Sequence, residues 1–545
     1  MAWSGIDQED ASKTGKDATS STNASRKSIS VERPAVLLPL VTRLTRLTPP
    51  ALSSGRRADY DAALSAIGFG RFHWWLLITI GWANAADAVE LLCVSSLLPA
   101  AECDLHMTPE QKGYLSSSAF VGLMIGGYVW GGLGDAIGRK ATLISALLFN
   151  ALFGALSSVM QTYWPFLVCR FLSGVGVGGA TPLVFSYFSE FSPKEYRGRM
   201  ISFVSYFWII GNVVVAAMAW IVIPRHIGYI SSSFKYDSWR IFVLLSTMPS
   251  FLSGLALTRF PRSAQYLLSK GRNEEALEIL RSVYRFNGGK VDDYPISRLE
   301  IVDCEESRNR SLLEVVVSVI RSTGQLFTTC LRPTLIMMGI NFCIQFGYYG
   351  LWVWFPELFN RLEQYHEQYP GSSASVCSII DAAVASNATD PCASAADVTA
   401  YQDEFIVAVA PMVLNVWTIV HMDRLGRKFF LVFGMCLSGV SVFLIYVVKE
   451  SWQNLVLSCL FGSVSNLSFC AINCVSAELF PTHLRSTAIA VQMVVARVGA
   501  ILGTSAFGQL LYINCAVPLL LVAGLLAGGG LLSLLLPNTT RVPLS

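Results

Sequence analysis

Charge is scarce in this sequence. Only 14% of its 545 residues are Asp, Glu, Lys or Arg, against 53% hydrophobic. With a mean hydropathy of +0.50, that balance excludes an ordinary soluble protein, in which charged residues make up about a quarter of the chain. The net charge is +3, and the basic residues sit in short turns beside apolar runs, so there is no nucleic-acid footprint. Histidine is scarce as well. The six, His73, His106, His226, His366, His421 and His483, fall near the ends of apolar runs or in loops. With no metal-ligand spacing and no nucleophile elbow, the chain offers an enzyme little, and neither a metal nor a cofactor is expected. The glycine run Gly174, Gly176, Gly178, Gly179 follows no strand, which excludes a nucleotide loop. No signal peptide is expected before the first long apolar run. Residues 1–70 are rich in Ser, Thr, Ala and Arg and read as a disordered cytosolic tail.

What the chain has is length without charge. A helix needs about 20 apolar residues to cross a bilayer, and the sequence holds twelve such runs: 73–99, 113–133, 142–161, 164–189, 200–223, 240–258, 333–356, 403–421, 429–448, 453–476, 487–511 and 515–536. They are called spans one to twelve below. The expected fold is an all-α membrane protein of two six-helix halves, 71–258 and 333–536. A cytosolic loop, 259–332, joins the halves, a polar loop, 357–402, lies on the far side, and 537–545 form a cytosolic tail. Arg139, Lys140, Lys194, Arg197, Arg199, Arg424, Arg427, Lys428 and Arg485 collect on one side, which the positive-inside rule makes cytosolic, with both termini. In the central loop, Ala276, Leu277, Leu280 and Val283 share one helical face and predict an amphipathic helix against the membrane or the bundle.

Of thirteen cysteines most lie inside apolar runs and read as small buried hydrophobes. Cys103, Cys377 and Cys392 are the exceptions, and Cys377 and Cys392 are candidates for a disulfide in the far loop. Asn387 heads a glycosylation sequon on the correct side, whereas Asn23, Asn309 and Asn538 head sequons on the wrong side.

The chain also repeats. After span two the turn GGLGDAIGRK carries Asp135, Gly138, Arg139 and Lys140. After span eight MDRLGRK returns the pattern 288 positions on, as Asp423, Gly426, Arg427 and Lys428. SEFSPKEYRGR after span four, with Glu190 and Arg197, recurs at the same offset in AELFPTHLRS, with Glu478 and Arg485. Two charged motifs at one offset argue for a duplicated six-helix unit, the mark of transporters whose halves rock about a central site. Asp135, Arg139, Glu190 and Arg197, with Asp423, Arg427, Glu478 and Arg485, form a candidate cytosolic gate. Asp135 and Arg139 would pair with Glu190 and Arg197 across neighbouring helices, and the pairing would break as the path opens inward; the alternative for the basic members is a purely topological role.

This constellation resembles the major facilitator superfamily. ADAVELLCV in span one, RFLSGVGVGGATPLVFSYFSEF in span four, YFWIIGNVVVAAMAW in span five and FGYYGLWVWFPEL in span seven resemble the synaptic vesicle glycoprotein 2 family, from about residue 70 to 540. PRSAQ (Pro261–Gln265) and PNTTR depart from the sugar-porter motifs P-E-S-P-R and P-E-T-R. The far loop is too short for the repeats by which the vertebrate family members bind clostridial neurotoxin, so toxin binding is not carried over.

Inside the membrane, Asp87 and Glu90 lie three apart on span one and share a face. Buried carboxylates cost about 3 kcal/mol each on insertion scales, which makes them the leading proton or solute site, unless a basic neighbour ties them up or they are simply protonated. Arg497 lies at a compatible depth in span eleven and would pair with Asp87, contact Glu90 or attract an anionic solute. Arg170, at the start of span four, reads as a helix-end residue reaching into the headgroups. Aromatics gather at Trp208, Tyr348, Tyr349, Trp352, Trp354 and Phe469. The resemblance implies a small-molecule pocket walled by a span-five Trp with a Trp and an Asp on span ten; those last two positions read Phe469 and Asn473 here, so the acid is replaced by an amide. The expected function is a secondary transporter for a small organic solute, with protons as the coupling ion. The alternative is a vesicle-membrane scaffold or regulator of exocytosis that meets its partners through the N-terminal tail. The setting is a vesicle or plasma membrane.

Overall fold

The computed structural model describes residues 56–225, 227–230, 234–290, 294–299, 312–368, 375, 377–378, 398–511 and 513–537. The described residues form twelve membrane helices in two groups of six. In the first group, spans one to five are Arg71–Ala101, Pro109–Ile137, Arg139–Val159, Tyr163–Phe191 and Lys194–Val222. Span six is broken into Ser238–Ser246 and Met248–Leu257. In the second group, span seven is Leu331–Trp352 continued by Phe355–Gln368, and spans eight to twelve are Val398–Leu425, Arg427–Val447, Ser451–Leu479, Thr482–Leu510 and Ala516–Ser533. Ten of these are long and apolar enough to cross a membrane by themselves; spans two and eight, diluted by glycine and polar residues, complete the set.

Both breaks have a proline behind them. Pro249 and Pro356 have no N–H to donate to the carbonyl four residues earlier, so the ladder lapses there. In span seven the lapse frees the carbonyls of Trp352 and Val353 for another partner.

The repeated turn is built the same way in both halves. Gly138 and Gly426 take φ of +99° and +90°, a left-handed conformation that disfavours any side chain, and each lets one span end and the next begin at once. The Lys that follows then reaches the end of its own half's sixth helix. Lys140 Nζ donates to the carbonyls of Thr258 and Phe260, and Lys428 Nζ to those of Leu534 and Leu536. A cation there satisfies carbonyls a helix C-terminus leaves free and complements its dipole. Spans two and four meet through glycine: a Cβ at Gly126 would land on the carbonyl of Val175, and one at Gly178 on that of Leu123.

The expectation of a disordered segment running to residue 70 is corrected. Arg56–Ala58 pairs in parallel with Ile296–Leu299, and Tyr60–Ile67 is a helix that buries Ala63 and Leu64. Apolar residues at 63, 64 and 67 give it one face, and Gly68 at φ +67° ends it. That face meets the amphipathic helix Asn273–Phe286, whose buried Ala276, Leu277, Leu280 and Val283 are the four read from the sequence. Residues 1–55, Asn387 and Cys392 lie outside the described residues.

Candidate functional site

Of the two span-one acids, Glu90 is tied down. Arg170 of span four, fully buried rather than reaching for headgroups as its position suggested, lies 2.6 Å from Glu90 Oε1. It also donates to the Glu90 backbone carbonyl at 3.1 Å, and Ser173 Oγ donates to the same carboxylate. The sequence reading placed Arg170 at a helix end because the span begins there; packing of span four against span one puts its side chain inside.

Asp87, one turn nearer the charged turns, is held less. Its Oδ2 accepts from Thr181 Oγ1 at 3.1 Å, while Oδ1 is buried with no hydrogen-bond partner. Arg497, from the other half, is close enough to act on Asp87 electrostatically and on Tyr349, yet makes no direct ion pair with the acid among the described residues. An aspartate with a spare oxygen and a half-buried arginine from the opposite half thus face the same space.

The aromatics collect beside them. Tyr348 stacks on Trp352 with centroids 5.1 Å apart and meets Phe469 edge-on at 5.0 Å. Tyr349 meets Phe120 of span two at 4.7 Å, a contact between halves. Trp208 is half-buried against the hydrophobic core that also contains Tyr348 and Tyr349. Trp354 points elsewhere and donates to the Thr504 carbonyl of span eleven. Asn473, one turn beyond Phe469 on the same face of span ten, is exposed.

At the charged-turn end each half makes its own ion pair. Arg139 lies 3.1 Å from Glu190, and Arg427 lies 2.9 Å from Glu478, the same pair at the repeat offset. Arg197 does not join this pair: it lies 2.9 Å from Asp61 of the Tyr60–Ile67 helix. Tyr60 donates to the Glu190 carbonyl at 2.6 Å, and burial, then the Glu190 charge, pushes its hydroxyl well above the usual tyrosine range. Arg485 has no ion pair among the described residues. The Asp135 and Asp423 side chains lie outside the described set.

At the opposite end the halves are joined. Lys112 of span two, fully buried, lies 2.9 Å from Glu357 of span seven and also pairs with Glu102. Arg361 completes the cluster, 2.8 Å from Glu357. Glu102, just beyond span one, is held above the usual carboxylate range by burial and by the Glu357 charge, against the pull of Lys112. Ser95 donates to the Val353 carbonyl at 2.8 Å, using an acceptor the Pro356 break leaves free. Ser96 donates to Glu404 of span eight at 2.6 Å, and Tyr401 donates to the Ser96 carbonyl at 3.2 Å. The contacts between described residues that join the halves, Ser95 with Val353, Ser96 with Glu404 and Tyr401, Lys112 with Glu357, Phe120 with Tyr349 and Trp220 with Phe405, lie from the level of Tyr349 outward to this end.

Sequence reasoning missed this seal. Glu357 beside Pro356 and Glu404 in YQDEF were readable as acids at the edges of apolar runs, but nothing along the chain pairs Lys112 with a residue 245 positions away. The expected Cys377–Cys392 bridge is also corrected. Cys377 is bonded to Cys515, at the start of span twelve, with Cα atoms 5.2 Å apart, and a disulfide sulfur has only one such bond to give. Cys103 is oxidised too.

Comparison with known proteins agrees with this architecture. The family profile described as Sugar (and other) transporter matches residues 91–364, and that of the Major Facilitator Superfamily matches 404–544. Synaptic vesicle glycoprotein 2A of Bos taurus is 31% identical over 593 aligned residues, covering 88% of this chain and 79% of its own. Synaptic vesicle glycoprotein 2C of Mus musculus is 30% identical, covering 90% and 82%. Among solved structures, a D-xylose-proton symporter superposes with a TM-score of 0.62 at 16% identity, over 86% of this chain and 98% of that one. The partially occluded inward open conformation of the xylose transporter XylE from E. coli gives 0.61 at 18% identity, over 87% and 99%. By its profile matches and by these relatives, the chain belongs to the major facilitator superfamily, within the synaptic vesicle glycoprotein 2 family.

Proposed function

We propose that this protein is a secondary transporter that moves a small organic solute, sugar-like or charged, between its two halves by alternating access. The observation that carries the reading is the asymmetry of contacts. The halves are locked together at the end bearing Lys112, Glu357 and Glu404, while at the charged-turn end the ion pairs between described residues, Arg139 with Glu190 and Arg427 with Glu478, each lie within one half. Such a pattern fits an inward-facing state with the charged turns, both termini and the 259–332 loop in the cytosol, and loop 357–402 with Asn387 on the far side.

Asp87 is the group we assign to proton coupling or to the solute, because it keeps an unpartnered buried oxygen and Arg497 stands near it. Glu90 is assigned a fixing role, since Arg170 and Ser173 already hold it. Trp208, Tyr348, Tyr349 and Phe469 supply stacking surface for a ring-shaped solute. With Asn473 exposed and neutral, a cationic ligand has no acid there. In this reading Arg139–Glu190 and Arg427–Glu478 stiffen each half during rocking rather than tie the halves together.

Purified protein in liposomes, offered hexoses, organic cations and organic anions with and without a proton gradient, tests the proposal. Gradient-driven uptake of one class that Asp87→Asn uncouples supports it. The second reading, a vesicle-membrane scaffold acting in exocytosis through its N-terminal tail, is favoured by the names of the relatives. No flux of any class, together with secretion defects on loss of the protein, decides for it.

A further inference from the structure

One small cavity lies between the halves near the joined end, about 10 Å³ in volume, room for a single water. Asn212 of span five and Glu404 of span eight line it, with Leu92, Trp352 and Phe355. Glu404 Oε2 and Asn212 Oδ1 are both buried acceptors without a hydrogen-bond partner. Two acceptors beside one cavity, with no donor for either, form a costly arrangement that native interiors avoid. The other Glu404 oxygen accepts from Ser96 of span one at 2.6 Å.

No cation neutralises this carboxylate among the described residues. Its own helix brings Tyr401, span one brings Cys93 and Ser96, span five brings Asn212, span seven brings Trp352 and Phe355 with Glu357 beyond Tyr401, and span ten packs alongside with Cys459. None carries positive charge. A proton on Oε2 supplies the missing donor, reaching Asn212 Oδ1 directly or through one water.

We propose that Glu404, with Ser96 and Asn212, is a proton-binding site that holds the far end of the path closed. The inference rests on the alternating-access reading and adds to it a group distinct from Asp87. When spans five and eight part, the carboxyl meets water on the far side, the O–H bond breaks, and the proton leaves to that water. The carboxylate left behind resists reburial until it takes a proton back, so closure binds one proton from the far side.

Hydrogen exchange tests this without knowledge of the solute. The full chain in lipid nanodiscs is labelled at about pH 5.5 and about pH 8, with times scaled for the intrinsic rates, and peptides 92–101, 351–362 and 400–410 are followed. The wild type is expected to exchange at least about fivefold faster there at the higher pH. Glu404→Gln, permanently neutral and still a donor, should stay slow at both. PH-independent wild-type exchange, or an E404Q protein that keeps the wild-type dependence, overturns the proposal. If E404Q does not fold, Ser96→Ala decides. It removes a bond donated to the carboxylate, so opening should move to higher pH; an unmoved midpoint overturns the site. Failure of the two readings is separable. Far-end exchange that is pH-dependent in a protein carrying no flux supports the site and removes transport, whereas solute uptake with pH-independent exchange does the reverse.

Discussion

Glu90 and Asp87 sit one helical turn apart and have different fates, which came from packing. Along the chain the two acids are equivalent, both apolar-flanked and on one face of span one. Arg170 separates them by pairing with Glu90 at 2.6 Å and leaving Asp87 an unpartnered oxygen. Removing one member of a fully buried pair strands the other, at about 3–5 kcal/mol. Arg170→Met should therefore lower the thermal unfolding midpoint sharply, and adding Glu90→Leu should recover much of the loss. Equal destabilisation by the single and double variants would deny the coupling. Asp87→Asn, by contrast, should leave the midpoint nearly unchanged while altering the pH dependence of uptake. The presence of Asp87, Glu90, Arg170 and Arg497 in apolar runs was legible at once, because charge in such runs is rare. Which pairs with which was not, since span four reaches span one 80 positions later.

The repeated turn works as a structural joint. Glycine at positive φ ends one span, the arginine binds the fourth helix of its half, and the lysine caps the sixth. Gly138→Ala and Gly426→Ala should each cost about 1–2 kcal/mol for the forced left-handed backbone, read as matched losses in thermal stability. The Tyr60–Ile67 helix is tied to the first half through Asp61 and Tyr60. Asp61→Ala, which breaks its pair with the half-exposed Arg197, should speed hydrogen exchange in 60–67 and in the start of span five, with little change in the global melting point because such exposed pairs are weak. The motif's offset was plain in the sequence, and so was the buried face of Asn273–Phe286. The docking of residues 60–67 was hidden, because an eight-residue helix has little stability until a partner covers its face.

For the whole molecule the disulfide is the most direct check. Peptide mapping without reduction should recover Cys377 joined to Cys515; a Cys377–Cys392 peptide would contradict it. Because that bond closes a loop of 138 residues, Cys515→Ser should cost stability on the order of 5 kcal/mol in the chain-entropy account. The sequence by itself determined the number of spans, their division into two halves and the superfamily, because the hydrophobic length of a helix and the offset of a repeat are properties of the chain read in one dimension. The tertiary structure alone decided which acid is bound and which is spare, which end of the bundle is sealed, and where Cys377 is tethered. Each of those depends on side chains tens to hundreds of residues apart meeting at hydrogen-bond distance, and spacing along the chain carries no record of which helices become neighbours.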